Sequence, residues 1–533
     1  MIIKKIYIKN YKIFQEFTLN FNQNMNILVG DNEIGKSSIL EAINLCLTRR
    51  INGRFVDYEL SPFLFNRHTT NEYIRQLKAG ENPEPPSIII ELYLYPNDKW
   101  ASFEGNNNSQ KSIDCGIKLQ ISFDEDYKQE YEQLITNDRN KIDLIPVEYY
   151  KVQWLSFSNN LITNRGMPIN VSFTDSSNIR LQNGADYYLQ DTIKNSLEVK
   201  DRVGLDISYR QLKEKFCQLD AIQTINNNLS KKAKSISDKQ LSISMDLSSK
   251  TSWEMHLIPH LNTLPFQLSG KGEQNSLKIM FSLNKNAAES DVILIEEPEN
   301  HLSFSSMTKL LTRISETCAG KQIFITTHST YVLNKLGLGN LILLAENQNL
   351  TFENLSNETQ DYFMKLSGYD TLRLIIAKKA ILVEGPSDEL IIQKAYFAKH
   401  NKMPIEDGVD VINVRGLSFE RFLEIAAPLQ KETFVVTDND GDYEQKVQYK
   451  YNSYNQYRNI HICASQNNAL PTLEPQLLSV NSLDLFNQIF NTTFNTEDEM
   501  KKFMIDNKTQ CALKLFKTEL TINFPEYINE AVQ

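Results

Sequence analysis

The chain has 533 residues, 41% of them hydrophobic and 23% charged. At roughly 100–200 residues per domain this length implies two to four domains with real cores, and the composition excludes bulk disorder. Lys and Arg number 56 against 66 Asp and Glu, a net charge of −10, which excludes a protein that coats nucleic acid with positive charge over its whole surface.

Cys46, Cys115, Cys217, Cys318, Cys463 and Cys511 stand far apart with no C-x-x-C pair, which argues against a zinc knuckle or disulfide framework and for a reducing cytosol. The opening MIIKKIYIKNYKIF alternates apolar and basic residues and reads as a strand, not a secretory h-region. The longest apolar run, around residues 88–95, is interrupted by Glu91 and too short to span a bilayer. A cytoplasmic protein is the expectation.

Taken in chain order, Ile6 and Ile8, then Phe17, Leu19 and Phe21, alternate with polar neighbours and predict two half-buried strands. A third strand, 26–29, runs into a Gly-containing loop, and Ile39, Leu40, Ile43 and Leu47 then keep helical spacing. A Pro-rich break at 82–86 precedes a strand at 87–95, and few elements are predicted between about 105 and 200, where Asn, Ser and Asp abound. Residues 207–245 hold neither Pro nor Gly and repeat Leu212, Phe216, Leu219, Ile222, Ile225 and Leu229, predicting a helical insertion. Its cluster Lys231, Lys232 and Lys234 reads as a solvated helix face. Strands and helices resume over about 255–350. A polar stretch then leads to a strand at 379–383. The expected domains are 1–205 and 251–350 for one divided domain, 206–250 for its insertion and self-association segment, 351–377 for a linker, and 378–533 for the last domain.

Gly30-Asp31-Asn32-Glu33-Ile34-Gly35-Lys36-Ser37 fits G-x-x-x-x-G-K-[ST] between a strand and a helix. In such a loop Gly30, Asn32, Gly35 and Ser38 line a cradle of backbone N–H groups for the phosphates of ATP. Lys36 offsets their charge and Ser37 ligates Mg²⁺. The apolar run Asp291–Ile295 ends in Glu296 and Glu297, one suited to hold Mg²⁺ through water and the other, Glu297, to orient the attacking water. His328 ends a further strand, where it could sense a γ-phosphate.

The last region carries Glu384-Gly385-Pro386-Ser387-Asp388 after a buried strand, and Asp438-Asn439-Asp440-Gly441-Asp442 after another. Alternate strand residues face the same way, so Asp438 and Asp440 are expected to converge. Four carboxylates at strand ends are costly to hold together without cations. An oxygen-rich, His-free set selects Mg²⁺ or Mn²⁺, and a pair of such ions suits phosphodiester cleavage.

Leu268-Ser269-Gly270-Lys271-Gly272-Glu273-Gln274 resembles the signature loop of ABC-type ATPases. The order of P-loop, insertion, signature loop, acidic strand and strand-end His is similar to ABC-class ATPases of the SMC, RecF and OLD groups. The resemblance implies that Ser269, Gly270 and Gly272 meet the nucleotide of a second subunit, so that two heads pair. Glu296 stands where such families usually have Asp, Lys271 interrupts the signature glycines, and Gln153 is the nearest counterpart of a Gln loop. E-G-x-x-D followed by D-x-D resembles the Toprim domain of topoisomerases, primases and OLD nucleases. Thr472-Leu473-Glu474-Pro475 resembles the L-E motif of the OLD branch, with Glu474 a metal ligand or its support. Asn507-Lys508-Thr509 resembles its late Lys motif, with Lys508 stabilising charge on the scissile phosphate. Asp442 or Glu444 would be the further acid.

The resemblance thus implies an α/β chain, an ABC/SMC-like ATPase followed by a parallel-sheet Toprim domain, of the OLD nuclease family. It implies ATP-regulated, Mg²⁺- or Mn²⁺-dependent DNA cleavage in antiphage defence, with a partner chain that is either helicase-like, as in Gabija, or a retron reverse transcriptase with its RNA–DNA product. The alternative is an SMC/RecF-like nucleotide-dependent DNA clamp or sensor with a non-catalytic Toprim region. A topoisomerase is disfavoured, since the 23 tyrosines offer no recognisable nucleophile motif.

Overall fold

The computed structural model describes residues 2–533 except 32, 164–165, 176–180, 183–184, 187–196, 234–240, 247–252, 254–259, 282–289, 318–319, 345–348, 352–355, 366–370 and 417–418. Asn32, Lys234 and Cys318 therefore lie outside the described residues. The chain forms two compact units, Met1–Asn26 with Gly35–Thr327, and Ile27–Ile34 with His328–Gln533.

In the first unit an antiparallel sheet joins Phe14–Asn20, Ile3–Tyr11, Ile88–Leu94, Asp114–Phe123 and Tyr150–Ser156 in that order. The predicted alternation of the first strands is observed: Ile6, Ile8 and Leu19 are buried. The Asp114–Phe123 strand falls where few elements were expected. It buries Cys115, Ile117, Leu119 and Ile121 on one face, a period-2 pattern that supplies a central strand despite its polar surroundings. Helix Lys36–Thr48 buries Ile39, Leu40, Ile43 and Leu47, and Trp154 of the sheet donates its Nε1–H to the Cys46 carbonyl at 2.8 Å. A parallel ladder of Val171–Asp175, Val292–Glu296 and Gln322–Thr326 completes the unit's regular sheets.

The expected insertion is helical but begins earlier, as Val199–Cys217 and Asp220–Ala233. Gly204 lies inside the first helix with open space where a Cβ would sit, so packing does not require a glycine there. Lys231 and Lys232 are exposed, in keeping with a solvated face.

In the second unit Leu341–Leu344 pairs in parallel with residues 27–29. The stretch expected as a linker contains helices Asn357–Lys365 and Thr371–Ile376, which bury Phe363, Leu372, Leu374 and Ile375. These apolar side chains need a core, which a free linker would deny them. Beyond it, four parallel strands stand in the order Val409–Asn413, Lys379–Val383, Glu432–Val436, Ile460–Cys463. Ala380, Ile381, Leu382 and Val383 are fully buried, the near-continuous apolar run of a parallel strand covered on both faces. Chain order gives the sheet a 2-1-3-4 arrangement, whose connections diverge between Lys379–Val383 and Glu432–Val436. In open α/β sheets ligands bind at the carboxyl ends of the strands flanking that point. No described helix in the chain is long and apolar enough to cross a membrane.

Candidate active site

Val383 and Val436 are register partners, so the residues that follow them, Glu384 and Thr437-Asp438, emerge side by side at the topological switch point. Glu384 Oε1 accepts hydrogen bonds from Thr437 Oγ1 at 2.6 Å and from the Asp438 backbone N–H at 3.1 Å. The second carboxylate oxygen, Oε2, has no part in this clamp. The chain then turns into helix Pro386–His400, with Pro386 at its first position and Asp388 on its first turn. Asp388 Oδ2 accepts the Gly385 N–H at 3.0 Å.

Helix Leu473–Ser479 brings a further carboxylate. Glu474 is 4% exposed, takes a hydrogen bond from Thr472 Oγ1 at 2.9 Å and pairs with Lys508 Nζ at 3.5 Å. Lys508 stands at the start of helix Lys508–Lys517.

Electrostatics shows that these acids share one environment. Burial, then the Glu384 charge, pushes the Asp388 carboxyl up to about 7, against the backbone N–H of Gly385, which favours the anion. Burial pushes Asp438 up to about 8, with Asp388, Glu384 and Glu474 adding to it and Lys508 opposing. A helix N-terminus ordinarily stabilises a carboxylate by about 0.3–1 kcal/mol. Desolvation and like charge outweigh it here, because several acids are being withdrawn from water together. The buried Tyr527 phenol is also driven well up, first by burial and then by Asp438, Asp388, Glu384 and Glu474.

The second half of the D-x-D motif departs from expectation. The strand ends at Val436, so alternation along a strand does not govern Asp438 and Asp440. The motif instead lies on a turn. Asn439, fully buried, donates to the Ser465 and Asn467 carbonyls at 2.8 and 3.0 Å and accepts the Gly441 N–H at 2.9 Å. Asp440 adopts a left-handed φ of 48° and is exposed. Asp442 is exposed too and accepts the Gln445 N–H at 3.2 Å, capping the next turn. The structure thus gathers Glu384, Asp388, Asp438 and Glu474, with Lys508 beside them, and does not draw Asp440 or Asp442 into that group. Glu444 is likewise exposed. Lys508, expected to face a phosphate, is engaged with Glu474.

The gathered donors are all carboxylate oxygens, and the raised proton affinities of Asp388 and Asp438 show that the group calls for a counter-charge. That chemistry fits a hard divalent cation. Among the described residues no three His, Cys, Asp or Glu side chains stand at ion-holding distances. Thr437 and Asn439, which hold Glu384 and the turn in place, were not singled out from sequence. Asn at the middle of a turn is the only signal that pointed to either.

In the first unit Lys36 is buried at the start of its helix, followed by Ser37 and Ser38. Gly35 precedes it with φ +98°, and an added Cβ would strike the Phe14 ring and the Ile13 side chain. Left-handed backbone costs an L-residue about 1–2 kcal/mol, to which the steric clash adds. Gly35→Ala is therefore expected to weaken ATP binding at least about tenfold, read by titration with a fluorescent ATP analogue.

Glu296 ends its strand 9% exposed, opposite Thr326 in the ladder. Glu297 has a left-handed φ of 43°, donates its N–H to the Thr326 carbonyl at 3.0 Å and accepts from Asn300 Nδ2 at 2.8 Å. Ser269 and Gly270 precede helix Lys271–Phe281, and the buried Ser269 hydroxyl has no hydrogen-bond partner. A Cβ on Gly272 would collide with the His301 carbonyl, which explains a glycine there. In the second unit Gly30 sits against the Leu344 backbone, and His328, two residues beyond strand Gln322–Thr326, is exposed.

Comparison with known proteins finds two domain families along the chain. The family profile "AAA ATPase domain" matches residues 1–333, and "Overcoming lysogenization defect protein-like, TOPRIM domain" matches residues 375–440. Endonuclease GajA of Bacillus cereus (strain VD045) is 20% identical over 460 residues, covering 83% of this chain and 75% of that protein. The DNA replication and repair protein RecF of Acetivibrio thermocellus is 22% identical over 376 residues, covering 61% and 95%. Among solved structures, an SmcHead bound to the C-winged helix domain of ScpA superposes with a TM-score of 0.35 and 13% identity, over 66% of this chain and 99% of that one. The chain belongs to the AAA ATPase domain family and joins to that ATPase the TOPRIM domain of the OLD family.

Proposed function

We propose that this protein is an ATP-regulated, divalent-metal-dependent DNA endonuclease acting in antiphage defence. The observation that carries the reading is the convergence of Glu384, Asp388, Asp438 and Glu474 at the switch point of the sheet, with the proton affinities of Asp388 and Asp438 raised. The likeness to Endonuclease GajA over most of both chains supports it.

Glu384, Asp388 and Asp438 are the residues to hold Mg²⁺ or Mn²⁺, with Glu474 beside them. Bound there, divalent ions supply stabilisation of the attacking and leaving oxygens of a phosphodiester. Thr437 and the Asp438 N–H fix Glu384 by its Oε1, which sets its orientation before substrate arrives. Lys508 balances Glu474 and brings positive charge to the mouth of the cluster, where it can meet a phosphate. Asp440 stands exposed on the same turn. At the ATPase, Lys36, Ser37, Ser38, Gly30, Asn32 and Gly35 hold the phosphates. Glu296 supports the Mg²⁺ that accompanies ATP, Glu297 orients water, and His328 reads the γ-phosphate. Ser269, Gly270 and Gly272 reach a second head, so ATP promotes self-association, and a separate helicase-like or reverse-transcriptase chain is the further partner.

Incubation with supercoiled plasmid and Mg²⁺ or Mn²⁺ tests this: nicked or linear product is expected from the wild type and none from Glu384→Ala or Asp438→Ala. The RecF likeness favours a second reading, a nucleotide-dependent clamp. ATP-dependent DNA retention with no cleavage in either metal would establish that reading instead.

A further inference from the structure

We propose that the segment 443–459 is a stacking platform for an unpaired stretch of the DNA substrate, beside the carboxylate cluster. The inference rests on the endonuclease reading and assigns the site its substrate contact.

The segment leaves the D-x-D turn directly. Asp442 caps it and the Tyr443 N–H is held by Asn468 Oδ1 at 2.9 Å. Residues Glu444–Tyr449 then form one π-helical turn, a rare geometry that recurs at functional sites. Two side chains fasten the segment inward. Val447 is buried, and so is Tyr451 at 1% exposure, packed edge-on to Phe419 with ring centroids 6.4 Å apart. The Tyr451 hydroxyl is buried beside Thr437, whose side chain it meets, and Thr437 is the residue that holds Glu384 Oε1. The inner face of the segment therefore abuts the site.

The outer face has a different composition. Tyr449 is 75% exposed and Tyr457 37%. These two rings offer open π surface on which a base can stack. Lys446, Lys450 and Arg458 accompany them against one acid, Glu444, whereas residues 378–533 as a whole hold 16 cations and 22 acids. The platform thus concentrates positive charge in an acidic domain. The residues between are mostly exposed Asn, Gln and Ser. Aromatic rings interleaved with cations and amides match single-stranded nucleic acid, whose bases stack on the rings while the backbone meets the cations. A protein partner would be expected to find a contiguous apolar patch, and a duplex would present no unstacked bases to the rings.

The test uses the full-length chain in an Asp438→Asn background with Mg²⁺, measuring anisotropy of a fluorescent oligothymidylate and of a duplex. Tyr449→Ala with Tyr457→Ala is expected to weaken oligothymidylate binding by roughly tenfold or more, with a smaller change for the duplex. The paired Tyr→Phe change should restore it, since the ring stacks and the hydroxyl does not. Lys446→Gln, Lys450→Gln and Arg458→Gln together should lower the salt slope by about 2. Oligothymidylate affinity unchanged in the Tyr→Ala pair, with unaltered melting temperature, overturns the platform. Cleavage by the wild type separates the two readings: a platform that binds in a protein that never cuts defeats the nuclease alone, and a cutting protein indifferent to the tyrosines defeats the platform alone.

Discussion

Replacing Asp438 by Asn should lower metal-dependent plasmid cleavage by roughly a thousandfold, about 4 kcal/mol in the barrier, while the protein remains folded. The amide keeps the size of the side chain and leaves the backbone N–H bonded to Glu384. It removes one negative charge and one anionic donor from a set in which Asp438 is coupled to Asp388, Glu384 and Glu474. Glu384→Gln should approach the same loss, because it also weakens the bonds from Thr437 and the Asp438 N–H. Lys508→Ala should cost less, roughly ten- to a hundredfold, since that ammonium already spends part of its charge on Glu474 at 3.5 Å. ATP turnover, assayed in parallel, is expected to persist in Asp438→Asn. The rank order is the discriminating result. Cleavage by Asp438→Asn within tenfold of wild type would sink the assignment, and equal losses for all three variants would point to general unfolding.

The parts of this architecture that were legible in the sequence are those governed by short-range rules. The nucleotide loop is one, because strand, glycines and helix must follow one another along the chain. The two strands that deliver Glu384 and Asp438 are another, since a buried parallel strand has to be nearly all apolar, as Lys379–Val383 is. Where a strand stops is a weaker signal. Asp440 was expected beside Asp438 on the assumption that the strand ran on. Burial of Asn439 and its bonds to the Ser465 and Asn467 carbonyls are long-range facts that only the fold supplies, and they turn Asp440 outward. The helices within 351–377 were hidden for a similar reason. Asn357–Lys365 is mostly polar and resembles a linker until Phe363 finds a core, and the apolar Thr371–Ile376 is too short to show a period. The Asp114–Phe123 alternation was readable, but its Asn- and Ser-rich flanks obscured it.

The apo protein should lose stability as pH rises from about 5 to 9, and Mg²⁺ or Mn²⁺ should restore it most at the alkaline end. Asp388 and Asp438 carry pKa values raised to about 7 and about 8 from an ordinary 3.8. Between those limits the folded state holds protons that the unfolded chain has released. Stability then falls with increasing pH: the penalty is absent below about pH 4, grows through the window, and is complete above about pH 8. A tenfold change in proton affinity is worth about 1.4 kcal/mol, so several kcal/mol are at stake, and a melting temperature drop of roughly 5–10 °C follows for a unit of this size. Cations bind the deprotonated acids and displace their protons, so the metal-induced rise in melting temperature should be larger at pH 8.5 than at pH 6. Asp438→Asn gives the internal control. With no proton to lose at that position, its apo melting temperature should exceed that of the wild type at alkaline pH, its pH dependence should be shallower, and its response to metal should shrink. Calorimetric scans with and without EDTA decide the matter. A melting temperature that rises with pH, or a metal response that survives Asp438→Asn undiminished, would show that these carboxyls are not the electrically strained set on which ion binding depends.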